Sequence, residues 1–180
     1  MKTRFSPGKI CIALLVMFGI SFQAFAQAPN FEVKDIAAQK ALIIKVSILA
    51  STINQKLGET YGKLFGYLKQ IGMQPAGPPF AVYYSFDPKG NAEFEAAVPV
   101  NSTIQGTDEL KFKVYPAMKV ISSLFIGPND KMAPLYVLIN KYATDNKIEI
   151  LTPSWEVYLD DPGRAGYSAK FQRLVYLVIK

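Results

Sequence analysis

The chain has no histidine and a single cysteine, Cys11, in 180 residues. Without histidine, Ser-His-Asp and Cys-His nucleophilic centres and the usual zinc sites are excluded. One thiol forms no internal disulfide. Blocks of like charge are also missing: the 20 basic residues are dispersed among 14 acidic ones, which does not make the electrostatic footprint of a nucleic-acid binder. Chemistry is left to carboxylates, tyrosines, lysines and backbone groups, and no metal or cofactor is expected.

The one long apolar run, residues 10–20, is too short to span a bilayer comfortably. It follows a basic head of Lys2, Arg4 and Lys9 and precedes Ala24-Phe25-Ala26, a small-residue cleavage pattern. This is the grammar of a secretory signal peptide over residues 1–26. Cys11 opens the apolar run instead of following it, which excludes a lipoprotein signal, and it leaves with the leader. The expected product is residues 27–180, one exported domain, periplasmic or secreted, with no stable membrane anchor. Losing three basic residues leaves 17 against 14, a net charge of +3. With no disulfide, the core alone must hold this domain, and a 50% hydrophobic composition makes that feasible.

Two halves of similar grammar follow. Residues 41–48 are apolar and β-branched, as in a buried strand. From Ser51 or Thr52 to Gln70, apolar residues recur at steps of three and four, which predicts an amphipathic helix ended by Gly72. Gly58, Gly62 and Gly66 lie four apart and predict a thin face that lets this helix sit close on a sheet. Residues 80–86 and 93–98 predict a hairpin across Asp87-Pro88-Lys89-Gly90-Asn91. After a polar connector at 101–110, the second half supplies a strand at 111–126, a turn with Asn129 or Asp130 as N-cap, a helix from Met132 to about Asn146, and strands ending at 153–159 and 170–179. The predicted class is α+β: duplicated β-α-β-β units forming a pseudo-two-fold antiparallel sheet, with two helices on one face and a ligand cleft.

The duplication is visible in residues 79–88 and 153–162. At an offset of 74, Pro79 matches Pro153, Tyr84 matches Tyr158, and Asp87-Pro88 matches Asp161-Pro162. Val82 in the first copy becomes Glu156 in the second. Strand alternation puts Ser154, Glu156 and Tyr158 on one face and Trp155, Val157 and Leu159 on the other. Taking the Trp155 face as the helix-packed core turns Glu156 and Tyr158 toward the opposite, concave face, together with Phe80, Val82 and Tyr84. Glu156 is then either a cleft carboxylate or a solvated residue on an open sheet.

Gly77-Pro78-Pro79-Phe80-x-x-Tyr83-Tyr84 in the first half, with Gly127-Pro128 and Trp155-Glu156-x-Tyr158-x-x-Asp161-Pro162 in the second, resembles the GyrI-like small-molecule-binding domain, the effector-binding domain of AraC- and MerR-type bacterial regulators. The resemblance covers residues 31–180. It implies a ligand cleft between the two units, with Glu156 meeting cationic or polar parts of a lipophilic ligand. On that reading Glu156, Tyr158, Tyr84, Phe80 and Phe171 are the ligand-binding residues. No helix-turn-helix accompanies the domain and the leader exports it, which removes the regulator reading. An alternative remains open, since some proteins of this kind hydrolyse electrophilic small molecules and Glu156 could serve as general base.

Overall fold

The computed structural model describes residues 29–164 and 170–180, so the leader at 1–26 lies outside the described residues. Eight strands form one antiparallel sheet: β1 (Glu32–Ile36), β2 (Gln39–Leu49), β3 (Phe80–Phe86), β4 (Asn91–Pro99), β5 (Lys111–Tyr115), β6 (Met118–Ile126), β7 (Ile150–Tyr158) and β8 (Gln172–Ile179). Helix α1 (Ile53–Gln70) joins β2 to β3, and α2 (Ala133–Asp145) joins β6 to β7. The strand order β1-β6-β8-β7-β3-β4-β2-β5 reads as two matching halves meeting at the β3–β7 pair. Each half is the expected β-α-β-β unit with one added edge strand. The predicted strand at 111–126 is two, because Pro116-Ala117 breaks it and sends β5 to one end of the order and β6 to the place next to the other end.

Both helices lie on the same sheet face. α1 packs Leu57, Tyr61, Leu64 and Leu68 against Leu42, Ile44, Ala81, Tyr83, Phe94 and Tyr158. α2 packs Leu135 and Ile139 against Ile121, Val175 and Leu177. A fully buried leucine here contributes about 1.5–3 kcal/mol. Helix α1 ends as expected, with Gly72 at φ 70°; the Gly72 amide donates to the Lys69 carbonyl and the Met73 amide to the Leu68 carbonyl. These two bonds define a Schellman cap. Helix α2 ends in the same way, with Lys147 at φ 57° in the glycine position. A short 3-10 turn, Asn129–Lys131, precedes α2, and neither Asn129 nor Asp130 caps it through its side chain.

The face without helices is buried as well. Phe80, Val82, Trp155, Tyr115, Tyr176 and Val120 form one cluster there. Phe80 stacks on Trp155 with ring centroids 4.8 Å apart, and Tyr115 meets Trp155 edge-on, also at 4.8 Å. Tyr115 sits four strands from Trp155 in the sheet order, which in a flat sheet is about 19 Å. The sheet is therefore curled, with this aromatic cluster inside the curl and the helices outside. This corrects the face expected from sequence: Trp155 and Val157 point into the helix-free concave side with Phe80 and Val82, and Glu156 and Tyr158 point toward the helices.

The offset of the duplication is corrected too. Tyr83 and Tyr158, 75 residues apart, meet hydroxyl to hydroxyl, and Asn54 and Asn129, also 75 apart, are hydrogen-bonded side chain to side chain. Equivalent residues touch each other only where a two-fold axis passes between them. The ladder between β3 and β4 carries a bulge between Tyr83 and Ser85, and that extra residue produces the apparent offset of 74 farther along. The partner of Glu156 across the axis is Ala81, its direct register mate, and not Val82.

The expectation for the α1 glycines holds for none of the three as stated. A Cβ on Gly62 or Gly66 would meet nothing within 4 Å, and Gly58 approaches the Gly163 backbone instead of the sheet. Gly62→Ala and Gly66→Ala should therefore each stabilise the protein by about 0.5–1 kcal/mol through helix propensity. Thermal unfolding of the double variant is expected to rise by about 2–8 °C; an unchanged or lowered midpoint would show that these positions are packed after all.

Candidate functional site

At the seam of the two halves, on the helix-bearing side, β7 and β8 place one charged pair. Glu156 is 7% exposed and Arg173 1%. The Arg173 Nη1 donates to Glu156 Oε2 at 3.0 Å, and Nη2 donates to the Gly127 carbonyl at 3.4 Å. Gly127 has φ 146°, a conformation that favours glycine and lets this turn run beside the guanidinium. The Arg173 Cζ lies 4.7 Å from the Phe171 ring centroid, 5.6 Å from Phe125 and 5.7 Å from Tyr158. These distances are within cation–π range.

Tyrosines complete the surroundings of the carboxylate. The Tyr136 hydroxyl donates to Glu156 Oε1 at 3.2 Å and the Tyr158 hydroxyl to Oε2 at 3.3 Å. Because Tyr158 donates to Glu156, its 3.2 Å contact with Tyr83 runs with Tyr83 as donor. Tyr61 packs edge-on against Tyr158 at 5.8 Å and donates to the Phe80 carbonyl at 2.7 Å. Burial, reinforced by the charge of Glu156, pushes the hydroxyls of Tyr61, Tyr83, Tyr136 and Tyr158 well above the ordinary value of 10. They remain protonated donors.

The five residues singled out from sequence separate into two groups. Glu156, Tyr158 and Phe171 come together in this cluster. Tyr84 and Phe80 lie on the other side of the sheet. Phe80 borders a cavity of about 420 Å³ with Pro78, Val157, Leu174 and Tyr176. Tyr84 borders another of about 620 Å³ with Lys45, Ser47, Glu93, Glu95 and Lys113. There Glu95, 2% exposed, accepts from Lys113 Nζ at 2.6 Å, the Tyr115 hydroxyl at 2.7 Å and the Tyr84 hydroxyl at 2.8 Å, all on Oε2.

Sequence reading missed Arg173, Tyr83, Tyr136, Tyr61 and Glu95. Arg173 had a signal, being the one charge inside the apolar run of β8. Among the described residues no group of three or more His, Cys, Asp or Glu side chains is placed to hold a metal ion.

Two β-α-β-β units around an aromatic, charged seam define a duplicated α+β domain with its polar cluster on the axis between the halves. The GyrI-like small molecule binding domain matches residues 29–171, and the chain belongs to that family. No curated protein matches its sequence. Among solved structures it is similar to EcmrR in a DNA complex (TM-score 0.73, 18% identity), covering 84% of this chain and 57% of that one. It is also similar to a hydrolase from Listeria innocua (0.60, 13%; 86% and 94%) and to SAV2435 bound to tetraphenylphosphonium (0.59, 14%; 84% and 94%). The chain thus spans little more than half of the EcmrR chain. Identities this low carry the fold, α+β, and no particular ligand.

Two predictions come from the charged groups. Removing one member of a buried ion pair leaves the other uncompensated, at about 3–5 kcal/mol. Urea unfolding of Glu156→Gln and Arg173→Met should each show a loss of that order, and the double variant a loss well below their sum. Strict additivity would mean that the pair does not interact. For Glu95, burial pushes the carboxyl up, but the hydrogen bonds from Lys113, Tyr115 and Tyr84 outweigh it and hold the group below its ordinary 4.5. A carboxyl lowered on folding contributes stability that is complete above the unfolded value and is lost as the pH falls through the folded one. The stability gap between wild type and Glu95→Gln should therefore be open at neutral pH and close as the pH falls below 4.5 and through the lowered folded value; a gap that widens in acid would reverse the assigned sign.

Proposed function

We propose that the protein binds a lipophilic or amphipathic small molecule at the Glu156 cluster, in an exported form freed of residues 1–26. The observation that carries this is the position of the cluster: one carboxylate, three tyrosine hydroxyls and the Phe171 ring converge on the axis between two units of a small-molecule-binding family. Rings supply apolar area, and a few fixed polar groups orient whatever enters. The cluster is closed in this conformation, so a ligand enters by parting the elements over it. Helix α1 also touches the Pro162–Arg164 turn, where Gly58 faces the Gly163 backbone without side chains.

Hydrolysis with Glu156 as general base draws on the same residues. A base must reach water or substrate, and here both carboxylate oxygens already accept from Arg173, Tyr136 and Tyr158. That geometry favours binding over turnover. The binding reading is tested by thermal unfolding against a panel of uncharged aromatics, aromatic amines and quaternary cations. A ligand at a hundredfold its Kd stabilises by about 2.7 kcal/mol, which is about 5–11 °C here. The stabilisation should shrink in Glu156→Gln, and an equal shift in that variant would move the site to one of the cavities on the other face.

A further inference from the structure

The two halves differ at the seam by a matched pair of positions. Across the axis from Glu156 stands Ala81, and the outer-strand neighbour of Tyr83 is Phe94 where that of Tyr158 is Arg173. In the first half the Phe94 ring lies 5.3 Å from Tyr83. In the second, the guanidinium lies 5.7 Å from Tyr158. The carboxylate and the arginine thus replace an apolar pair together, and each answers the other.

Arg173 also sits as an organic cation would sit if bound there. It is buried, hydrogen-bonded to the carboxylate at 3.0 Å, and faced by three aromatic rings within 5.7 Å. Its position is fixed from the strand, with no translational entropy to lose, so an external cation competes with it at a disadvantage. A cation that entered without displacing it would meet a like charge at short range in a low-dielectric site. An uncharged ligand meets no such repulsion.

We propose that Arg173 is the specificity-determining residue of the site: it holds the cation position beside Glu156 and restricts the cleft to uncharged lipophilic molecules. This rests on the reading of the Glu156 cluster as the ligand site. Two probes of similar aromatic bulk test it by calorimetry, triphenylphosphine oxide and tetraphenylphosphonium. Wild type should bind the oxide at least tenfold more tightly than the cation. Arg173→Met should gain at least tenfold in cation affinity, Arg173→Lys should keep the wild-type preference, and Glu156→Gln combined with Arg173→Met should lose the gain. A wild type that binds the cation as tightly as the oxide overturns the role of Arg173 and leaves the ligand site standing. So does a cation affinity unchanged in folded Arg173→Met. Binding of neither probe to wild type overturns the ligand site as well. Should Arg173→Met fail to fold, the wild-type preference and Arg173→Lys decide.

Discussion

Two connections of two residues each determine the shape of the sheet. Ala37-Ala38 joins β1 to β2, and Pro116-Ala117 joins β5 to β6, yet each pair is six places apart in the strand order. Such a link reaches about 11 Å at most, whereas six strand spacings in a flat sheet are about 29 Å. Only a strongly curled sheet satisfies both at once. Curling encloses one face, and that face must be filled without any helix; Phe80, Trp155, Tyr115 and Tyr176 fill it. The helices are left with the outer face, and so is the polar cluster that lies beneath them.

The same constraint explains what could be read from sequence. Element type and order depend on local periodicity and turn chemistry, so the two helices, the hairpin across Asp87 to Asn91 and the duplication were all legible. Which face of β7 meets the helices is not local, since in a curled sheet both faces are buried and alternation no longer separates inside from outside. The offset failed for a related reason. The doublets Pro78-Pro79 and Tyr83-Tyr84 let proline match Pro153 and tyrosine match Tyr158 at either 74 or 75. The bulge after Tyr83 decides between them, and a slip of one residue exchanges every side chain between faces. Tyr84 and Phe80 were consequently placed with Glu156, although each lines a cavity on the far side.

Glu156 itself was legible because it breaks a repeat, but its partner was not. Arg173 stands in a strand that pairs with β7 only after a connection longer than its counterpart in the first half. Nothing in the spacing of residues 156 and 173 brings them to 3.0 Å, whereas the Tyr158–Arg173 register does. A charge within an apolar strand signals that a partner exists without identifying it.

The polarity of the seam therefore has a sharper meaning than a lone carboxylate in an aromatic cleft. A lone buried carboxylate would be costly, and a ligand cation would be the natural remedy. Here the remedy is built in. A well-packed apolar pair is generally at least as stable as a buried ion pair, and the first half of this fold carries one, Ala81 with Phe94, in the equivalent place. The second half thus holds a charged pair where its twin shows that an apolar pair fits. Stability does not account for that choice. The proposed ligand site does, because on that proposal an internally neutralised pair keeps directional polar groups at the axis while removing the net charge that would draw ions into it.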